Sequence, residues 1–333
     1  MGRHINIALF VPHLGCPHQC SFCNQKSISG VTKPLTRSDV LNAVEKALDT
    51  EGSESAEIAF FGGSFTAIDR EYMISLLESA YAYVRTGFVR GIRISTRPDC
   101  IDDEVLTILK EYGVTSIELG CQSMDNEVLS LNHRGHTAED VIKASGLIRK
   151  YGFELGHQMM TGLFGSSSEK DIMTAEKIIE IHPDTVRIYP TVILEHTENA
   201  ERFRRGEYKV QTLEEGVRDC SKLLKMFDKA GIPVIRLGLH SGGNVEDGYI
   251  AGVYHPAFRE LCESRIYLEN ATDRLKDFPK GKIEITVSKR YVSMMYGQKK
   301  ENIKTLESLG YDVKISQSEE MKKYEIEIRK LPG

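Results

Sequence analysis

The sequence lacks three features, each of which would have assigned it to a class of protein. No apolar run approaches the ~18 residues of a membrane-spanning helix, so we predict a chain that does not cross a membrane. Positive charge is not in excess, because 48 Asp and Glu outnumber 43 Lys and Arg, which argues against a basic nucleic-acid groove across the whole protein. The short apolar run near the N-terminus has no small-residue cleavage site behind it, so we expect a cytoplasmic protein.

Cysteine is present, but in an odd number, seven in 333 residues, which disfavours a disulfide framework. Cys16, Cys20 and Cys23 have the spacing Cys-x₃-Cys-x₂-Cys and can bind three corners of an iron–sulfur cube. Clusters that only transfer electrons normally have four cysteine ligands, so an open fourth iron indicates a reaction centre. The alternative is a structural zinc site with His13 or His18 as fourth ligand, although no second Cys-x-x-Cys pair completes a zinc ribbon.

The cysteine spacing, with Phe22 immediately before the third cysteine, resembles the radical S-adenosylmethionine (SAM) superfamily. The resemblance implies a 4Fe–4S cluster whose open iron is chelated by SAM. It also implies a reductant, such as flavodoxin or ferredoxin, and cleavage of SAM to methionine and a 5′-deoxyadenosyl radical that removes a hydrogen atom from a substrate. Phe22 and Asn24 are then expected beside the adenine.

Apolar β-rich runs alternate with amphipathic helical patterns through the first 240 residues. We predict strands near residues 5–11, 57–61, 92–96, 116–120, 154–161, 185–189 and 233–237. Repeated βα units indicate an α/β fold with a parallel sheet, and the resemblance favours a partial (β/α)₆ barrel. We expect this barrel over residues 1–245, a closing segment over 246–275 and a small β-α-β-β module over 276–333.

Five segments after the cysteines resemble the elongator-type branch of the superfamily, to which tRNA wobble-uridine enzymes belong, and its coproporphyrinogen-dehydrogenase relatives. They are residues 95–99, 118–136, 157–163, 187–208 and 249–260. Ser95 stands where these relatives carry a glutamate near SAM, so the hydroxyl or another group must make that contact. Arg97 either serves this site or pairs with Asp99. By the resemblance, the expected SAM contacts besides Phe22 and Asn24 are Gly62, Gly63, Ser64, Ser95, Gln122, Arg134 and Gln158.

The substrate contacts are expected at later strand ends. A carboxylate beside an imidazole can recognise a purine-like edge or a basic amine, whereas a solvated loop pair and a tyrosine–histidine interface are the competing interpretations. The candidates are Glu195, His196, Arg236, His240, Tyr249 and His255. No catalytic residue is assigned.

Comparison with the branch gives the functional hypothesis. Its wobble-uridine enzymes carry an acetyltransferase domain and basic arms, and neither is visible in this sequence, so we expect a small-molecule substrate. The favoured hypothesis is a lyase that cleaves a C–N bond of the modified nucleobase queuine in nucleobase salvage. The alternatives are a radical enzyme that modifies tRNA or a tetrapyrrole, and a non-catalytic zinc or iron–sulfur binding module.

Overall fold

The computed structural model describes residues 5–11, 19–24, 33–48, 56–239, 246 and 248–332. The strands in the described ranges are β1 (Ile5–Val11), β2 (Ala56–Gly62), β3 (Gly91–Thr96), β4 (Val114–Gln122), β5 (Glu154–Thr161), β6 (Thr185–Pro190), β7 (Val192–Leu194), β8 (Val234–Leu237), β9 (Tyr249–Gly252), β10 (Gly281–Ser288), β11 (Tyr311–Ser318) and β12 (Ile326–Lys330). The first six strands and β8 form one sheet in the order β1-β2-β3-β4-β5-β6-β8, with every neighbouring pair parallel.

Helices connect most of these strands. They are α1 (Arg37–Leu48), α2 (Arg70–Arg85), α3 (Asp103–Glu111), α4 (Asn126–Leu131), α5 (Ala138–Lys150), α6 (Ser168–Ile181), α7 (Glu198–Arg204), α8 (Leu213–Lys229), α9 (Phe258–Arg274), α10 (Val292–Tyr296) and α11 (Glu301–Ser308). Residues of the first and last strands, Asn6 and Arg236, line one cleft, as they would in a curled, open sheet. The predicted α/β partial barrel is confirmed, with seven parallel strands.

Local signals explain where several helices begin and end. The side chains of Thr137 and Asp140 cap each other's backbone N–H groups at the start of α5, the reciprocal arrangement of a capping box. Gly113 and Gly152 follow α3 and α5 with φ of 71° and 76°, the left-handed conformation that glycine adopts without a Cβ penalty. The sequence predicts all three features, because Thr137 with Asp140 three residues later is typical of a helix start and each glycine stands between a helical pattern and the next strand.

The two faces of the seven-stranded sheet differ in chemistry. The outer face packs against the helices through buried apolar residues such as Ile58, Ile94 and Leu119. Polar residues such as Arg93 and Glu118, which are only 4% and 1% exposed, alternate with these apolar residues along the strands. Because successive side chains of a strand point to opposite faces, the inside of the half-barrel is polar, and this places charged groups below its mouth.

The C-terminal module has a three-stranded sheet in the order β11-β10-β12, with β10 and β11 parallel and β12 antiparallel. A second apolar core joins the module to Tyr267 and Leu275 in and just after α9. The sequence pattern predicts one helix over residues 298–309, which is wrong, because Lys299 and Lys300 have φ of 51° and 60°. Left-handed residues interrupt the i→i−4 hydrogen bonds, so α11 starts only at Glu301. The domain boundaries stay a prediction.

Within the residues described, none of the helices is both long and apolar enough to cross a membrane.

Candidate active site

The segment after β1 carries two of the three predicted cluster ligands. Cys20 is buried and Cys23 is partly exposed, while Cys16 lies outside the described residues. Ser21 anchors this segment to Asn132, which follows α4: the Ser21 hydroxyl donates to Asn132 Oδ1 at 2.8 Å, and the Ser21 amide donates to the Asn132 carbonyl at 3.2 Å. The Asn199 amide of α7 donates to the Ser21 carbonyl at 2.9 Å. The cysteine segment is therefore held against elements from across the mouth of the half-barrel.

Phe22 and Asn24, expected beside the adenine, are both partly buried in this segment. The Asn24 side-chain amide donates to the Glu195 carbonyl at 2.7 Å. Asn24 therefore links the cysteine segment to the loop after β7, and its orientation is set by the protein backbone.

Arg134 connects the cysteine segment to the sheet. Its Nη1 lies 3.1 Å from Cys20 Sγ, and its Nη2 donates to the Gly120 carbonyl at 2.6 Å. The Arg134 carbonyl in turn accepts from Arg97, whose guanidinium also forms a two-point ion pair with Asp99 at 2.9 and 3.0 Å. Arg97 thus adopts the structural pairing that was the alternative to a role at the SAM site.

Three polar atoms around Arg134 have no hydrogen-bond partner in the described part of the chain. They are Arg134 Nε, Gln122 Oε1 and Arg97 Nη1, and all three are buried. Gly120 lies between two of these groups, because a Cβ on it would be 3.0 Å from Gln122 Nε2 and 3.4 Å from Arg134 Nη2. Buried polar atoms without partners cost about 1–3 kcal/mol each, and a ligand with carboxylate and hydroxyl groups would satisfy them. The residues present therefore fit the amino acid and ribose groups of SAM.

The glycine-rich turn after β2 is held against β1. Gly62 has φ of 109°, and a Cβ there would be only 2.5 Å from the Val11 carbonyl oxygen, so other residues are excluded for steric reasons. The Gly63 amide donates to that same carbonyl at 3.2 Å. Ser64, also expected at SAM, has its hydroxyl engaged with Thr96 Oγ1 at 2.8 Å. The turn thus lies directly beside the strand that leads into the cysteines.

Ser95 and Gln158 meet at a carboxylate that the sequence interpretation did not assign to the site. Gln158 Nε2 donates to Glu118 Oε2 at 3.0 Å, and the Ser95 hydroxyl donates to the same oxygen at 3.5 Å. Glu118 is on β4, the strand next to Ser95. The glutamate that relatives carry at the Ser95 position is absent, but a carboxylate occupies the neighbouring strand.

Glu118 is the centre of a buried charge network inside the half-barrel. Arg187 pairs with both of its oxygens at 2.9 Å, and Arg93 Nη1 lies 3.2 Å from Oε1. Arg93 also pairs with Glu57 at 3.1 Å and with Glu154 at 3.3 Å. Sequence reasoning missed this network, although charged residues alternating with Ile92, Ile94 and other apolar strand residues were the available signal.

The predicted substrate residues do not form one cluster. Glu195 accepts two hydrogen bonds from Arg204 at 2.7 and 2.6 Å, and this hydrogen-bonded pairing lowers the pKa of Glu195. His196 is exposed. Arg236 lines the interior cleft and, together with His255, a second pocket.

The aromatic and histidine candidates of the closing segment are engaged with the backbone. The Tyr249 hydroxyl donates to the Gly252 carbonyl at 2.9 Å, and His255 Nδ1 accepts from the Ala257 amide at 3.0 Å. The rings of Tyr249 and Tyr254 lie 5.7 Å apart. His240 falls outside the described residues.

His136 and Cys121 are buried near the site, and burial keeps both side chains uncharged at neutral pH. His136, whose Nε2 lies 3.2 Å from the Cys121 carbonyl, has its pKa lowered by burial to about 4. Burial also raises the pKa of the Cys121 thiol to about 12. A thiol that stays protonated at neutral pH is a poor nucleophile and metal ligand, so Cys121 is poorly suited to bind a cluster.

The sequence matches the family model for the radical SAM superfamily over residues 10–178. The chain belongs to the radical SAM superfamily. A second model, the Radical_SAM C-terminal domain, matches residues 183–268. As a member of this superfamily the protein has a 4Fe–4S cluster and SAM as its cofactors.

Curated relatives of this radical SAM protein include a tRNA uridine(34) acetyltransferase of Methanocaldococcus jannaschii, 31% identical over 256 residues, which are 64% of this chain and 47% of the relative. Human elongator complex protein 3 is 28% identical over 52% of this chain and 35% of the relative. The chain therefore spans about half the length, or less, of these relatives. The solved structure of Methanocaldococcus infernus Elp3 is similar with a TM-score of 0.64 and 25% identity, over 81% of this chain and 63% of that chain.

Proposed function

We propose that this radical SAM enzyme abstracts a hydrogen atom from a nucleotide of tRNA. The unpartnered polar atoms beside Cys20 carry the proposal of a SAM-cleaving site, because a buried arginine within 3.1 Å of a cluster ligand orients a carboxylate next to the open iron. The proposal of a tRNA substrate is supported by the names of the curated relatives.

Each residue has a defined role in this proposal. Cys16, Cys20 and Cys23 hold the 4Fe–4S cluster, which when bound and reduced supplies the electron that cleaves SAM. Arg134 binds the SAM carboxylate, and Gln122 accepts from the ribose through its unpartnered Oε1. Glu118 fixes the orientation of Gln158 and Ser95 beneath the same pocket.

The queuine lyase hypothesis has less support than tRNA modification. The relatives are named for tRNA uridine and not for a nucleobase. Glu195, expected to recognise the guanine-like edge, is 40% exposed and already paired with Arg204, which occupies part of its capacity to accept hydrogen bonds. Queuine therefore stays a prediction for the same assay.

The experiment is anaerobic reconstitution of the cluster, followed by dithionite reduction with SAM in three parallel reactions. One contains bulk tRNA, one contains queuine and one contains neither. The proposal predicts that 5′-deoxyadenosine rises with tRNA above the other two reactions. If queuine alone stimulates 5′-deoxyadenosine formation, the lyase hypothesis replaces this proposal. If protein with a well-loaded cluster forms no 5′-deoxyadenosine in any reaction, both are contradicted.

A further inference from the structure

The open side of the half-barrel contains a cleft of about 930 Å³. Residues of both edge strands line it, Asn6 from β1 and Arg236 from β8, together with side chains from the strands between them. Four arginines and two carboxylates are on the lining: Arg90, Arg93, Arg187 and Arg236, with Glu154 and Asp184. The cleft is thus a charged space within the barrel, separate from the cysteine segment.

Two of the four arginines are neutralised by buried carboxylates. Arg93 pairs with Glu57, Glu118 and Glu154, and Arg187 pairs with both oxygens of Glu118. Asp184 accepts from the Leu155 amide at 2.8 Å. These groups form the wall of the cleft.

Arg236 differs from these two. It makes no ion pair within 4 Å with any residue that the structure describes, and its Nε donates only to the Gly238 carbonyl at 3.1 Å. Its Cα is the register partner of Arg187 on the adjacent strand, so another cation is beside it. Burial lowers the pKa of Arg236, Tyr189 opposes this shift, and the charges of Arg187 and Arg259 add to it. A partly buried cation among like charges is unfavourable unless an anion joins it.

We propose that this cleft is a phosphate-binding subsite, in which Arg236 makes a two-point contact with a phosphate of the substrate nucleotide. The guanidinium fork matches two phosphate oxygens. Glu118 joins the two regions, because it binds Arg187 at the cleft wall and Gln158 below the SAM pocket. A phosphate at Arg236 would therefore anchor a nucleotide whose sugar or base reaches the radical. This inference rests on the proposed nucleotide substrate.

The phosphate has two sources, a free mononucleotide or the phosphodiester of an RNA chain, and binding measurements separate them. Calorimetry on the cluster-loaded, SAM-bound protein without reductant compares uridine 5′-monophosphate with uridine, and tRNA binding is measured over a range of salt concentrations. The variant is Arg236→Gln, with Arg236→Lys as the charge-retaining form. The control is Arg205→Gln, which removes one equal charge from an exposed pair with Glu207.

We expect Arg236→Gln to weaken at least one phosphate ligand roughly 10-fold or more, as for a lost charged hydrogen bond. If only the affinity for uridine 5′-monophosphate falls, the phosphate belongs to a mononucleotide. If the affinity for tRNA falls and the slope of log affinity against log salt concentration becomes smaller by about 1, the phosphate belongs to an RNA chain. Arg236→Lys should retain part of the affinity, and Arg205→Gln all of it. If Arg236→Gln binds every ligand as wild type does, the subsite is wrong. Because no radical is formed, this result is independent of whether tRNA stimulates SAM cleavage.

Discussion

Both the mouth of the half-barrel and its interior contain buried polar side chains, but the partners available to these side chains differ. In the interior, Glu118 has partners on both oxygens, two of them arginines. At the mouth, Arg134 Nε and Gln122 Oε1 are buried and have no partner within the described residues. We infer that paired buried charges such as Glu118 belong to the scaffold and that the unpartnered atoms beside Cys20 mark a ligand site. Burial without a partner is not sufficient by itself, because Arg187 Nε and Ser116 Oγ of the interior also have no hydrogen-bond partner within the described residues.

The largest expected effect is at the cysteines of the segment after β1. Cys20→Ala should abolish cluster loading and 5′-deoxyadenosine formation, because a three-cysteine site cannot spare one ligand. Iron content and the product assay measure both. Cys100→Ala, a partly exposed cysteine outside the segment, is the matched control and should retain the cluster. A Cys20→Ala protein that loads iron and cleaves SAM normally would refute the ligand assignment.

Breaking the interior network should mainly affect stability. Glu118→Gln leaves Arg93 and Arg187 sharing an uncharged partner in a site that is 1% exposed, and removing one member of a buried ion pair costs about 3–5 kcal/mol. Urea unfolding should show this loss. Glu201→Gln removes an exposed carboxylate 4.0 Å from Arg205 and should change the free energy of unfolding by less than about 0.5 kcal/mol. Equal losses in the two variants would mean that the interior network is not a scaffold.

Substitution of Arg134 tests whether the unpartnered atoms at the mouth bind SAM. Arg134→Gln should raise the Kd for SAM roughly 10- to 100-fold, because a charged hydrogen bond to a carboxylate contributes about 1.5–3 kcal/mol. Equilibrium binding to the reconstituted protein measures this, and Arg134→Lys, which retains the charge without the two-point geometry, should fall between. If SAM affinity is unchanged while stability falls, Arg134 stabilises the fold and does not bind SAM.

Near neutral pH, the smallest effect is the protonation of His157. Burial lowers the pKa of His157 to about 3, whereas an unfolded histidine titrates near 6.5. Between these values the unfolded chain binds more protons, so the free energy of unfolding should fall as pH drops from about 6.5 towards 3, by at most about 1.4 kcal/mol per pH unit for this residue. His157→Gln should flatten the pH dependence. A parallel profile in the variant would show that His157 does not contribute.

The extent to which the sequence predicted the structure depends on how local each signal is. The strand over 154–161 was correct to the residue, and the cap at Thr137 follows from side chains within three positions. The break at Lys299 was missed, because lysine gives no local sign of a left-handed conformation. Glu118 was missed as a site residue because its partners are 23 to 69 positions away in the chain.

The electron paramagnetic resonance spectrum of the reduced cluster, recorded with and without SAM, tests most directly whether SAM binds at the cluster beside Arg134. We expect SAM to change the spectrum of the wild-type protein, because it would bind the open iron. Arg134→Gln should need a higher SAM concentration for the same change. A fully loaded, reduced cluster whose spectrum SAM leaves unaltered at every concentration would contradict this expectation.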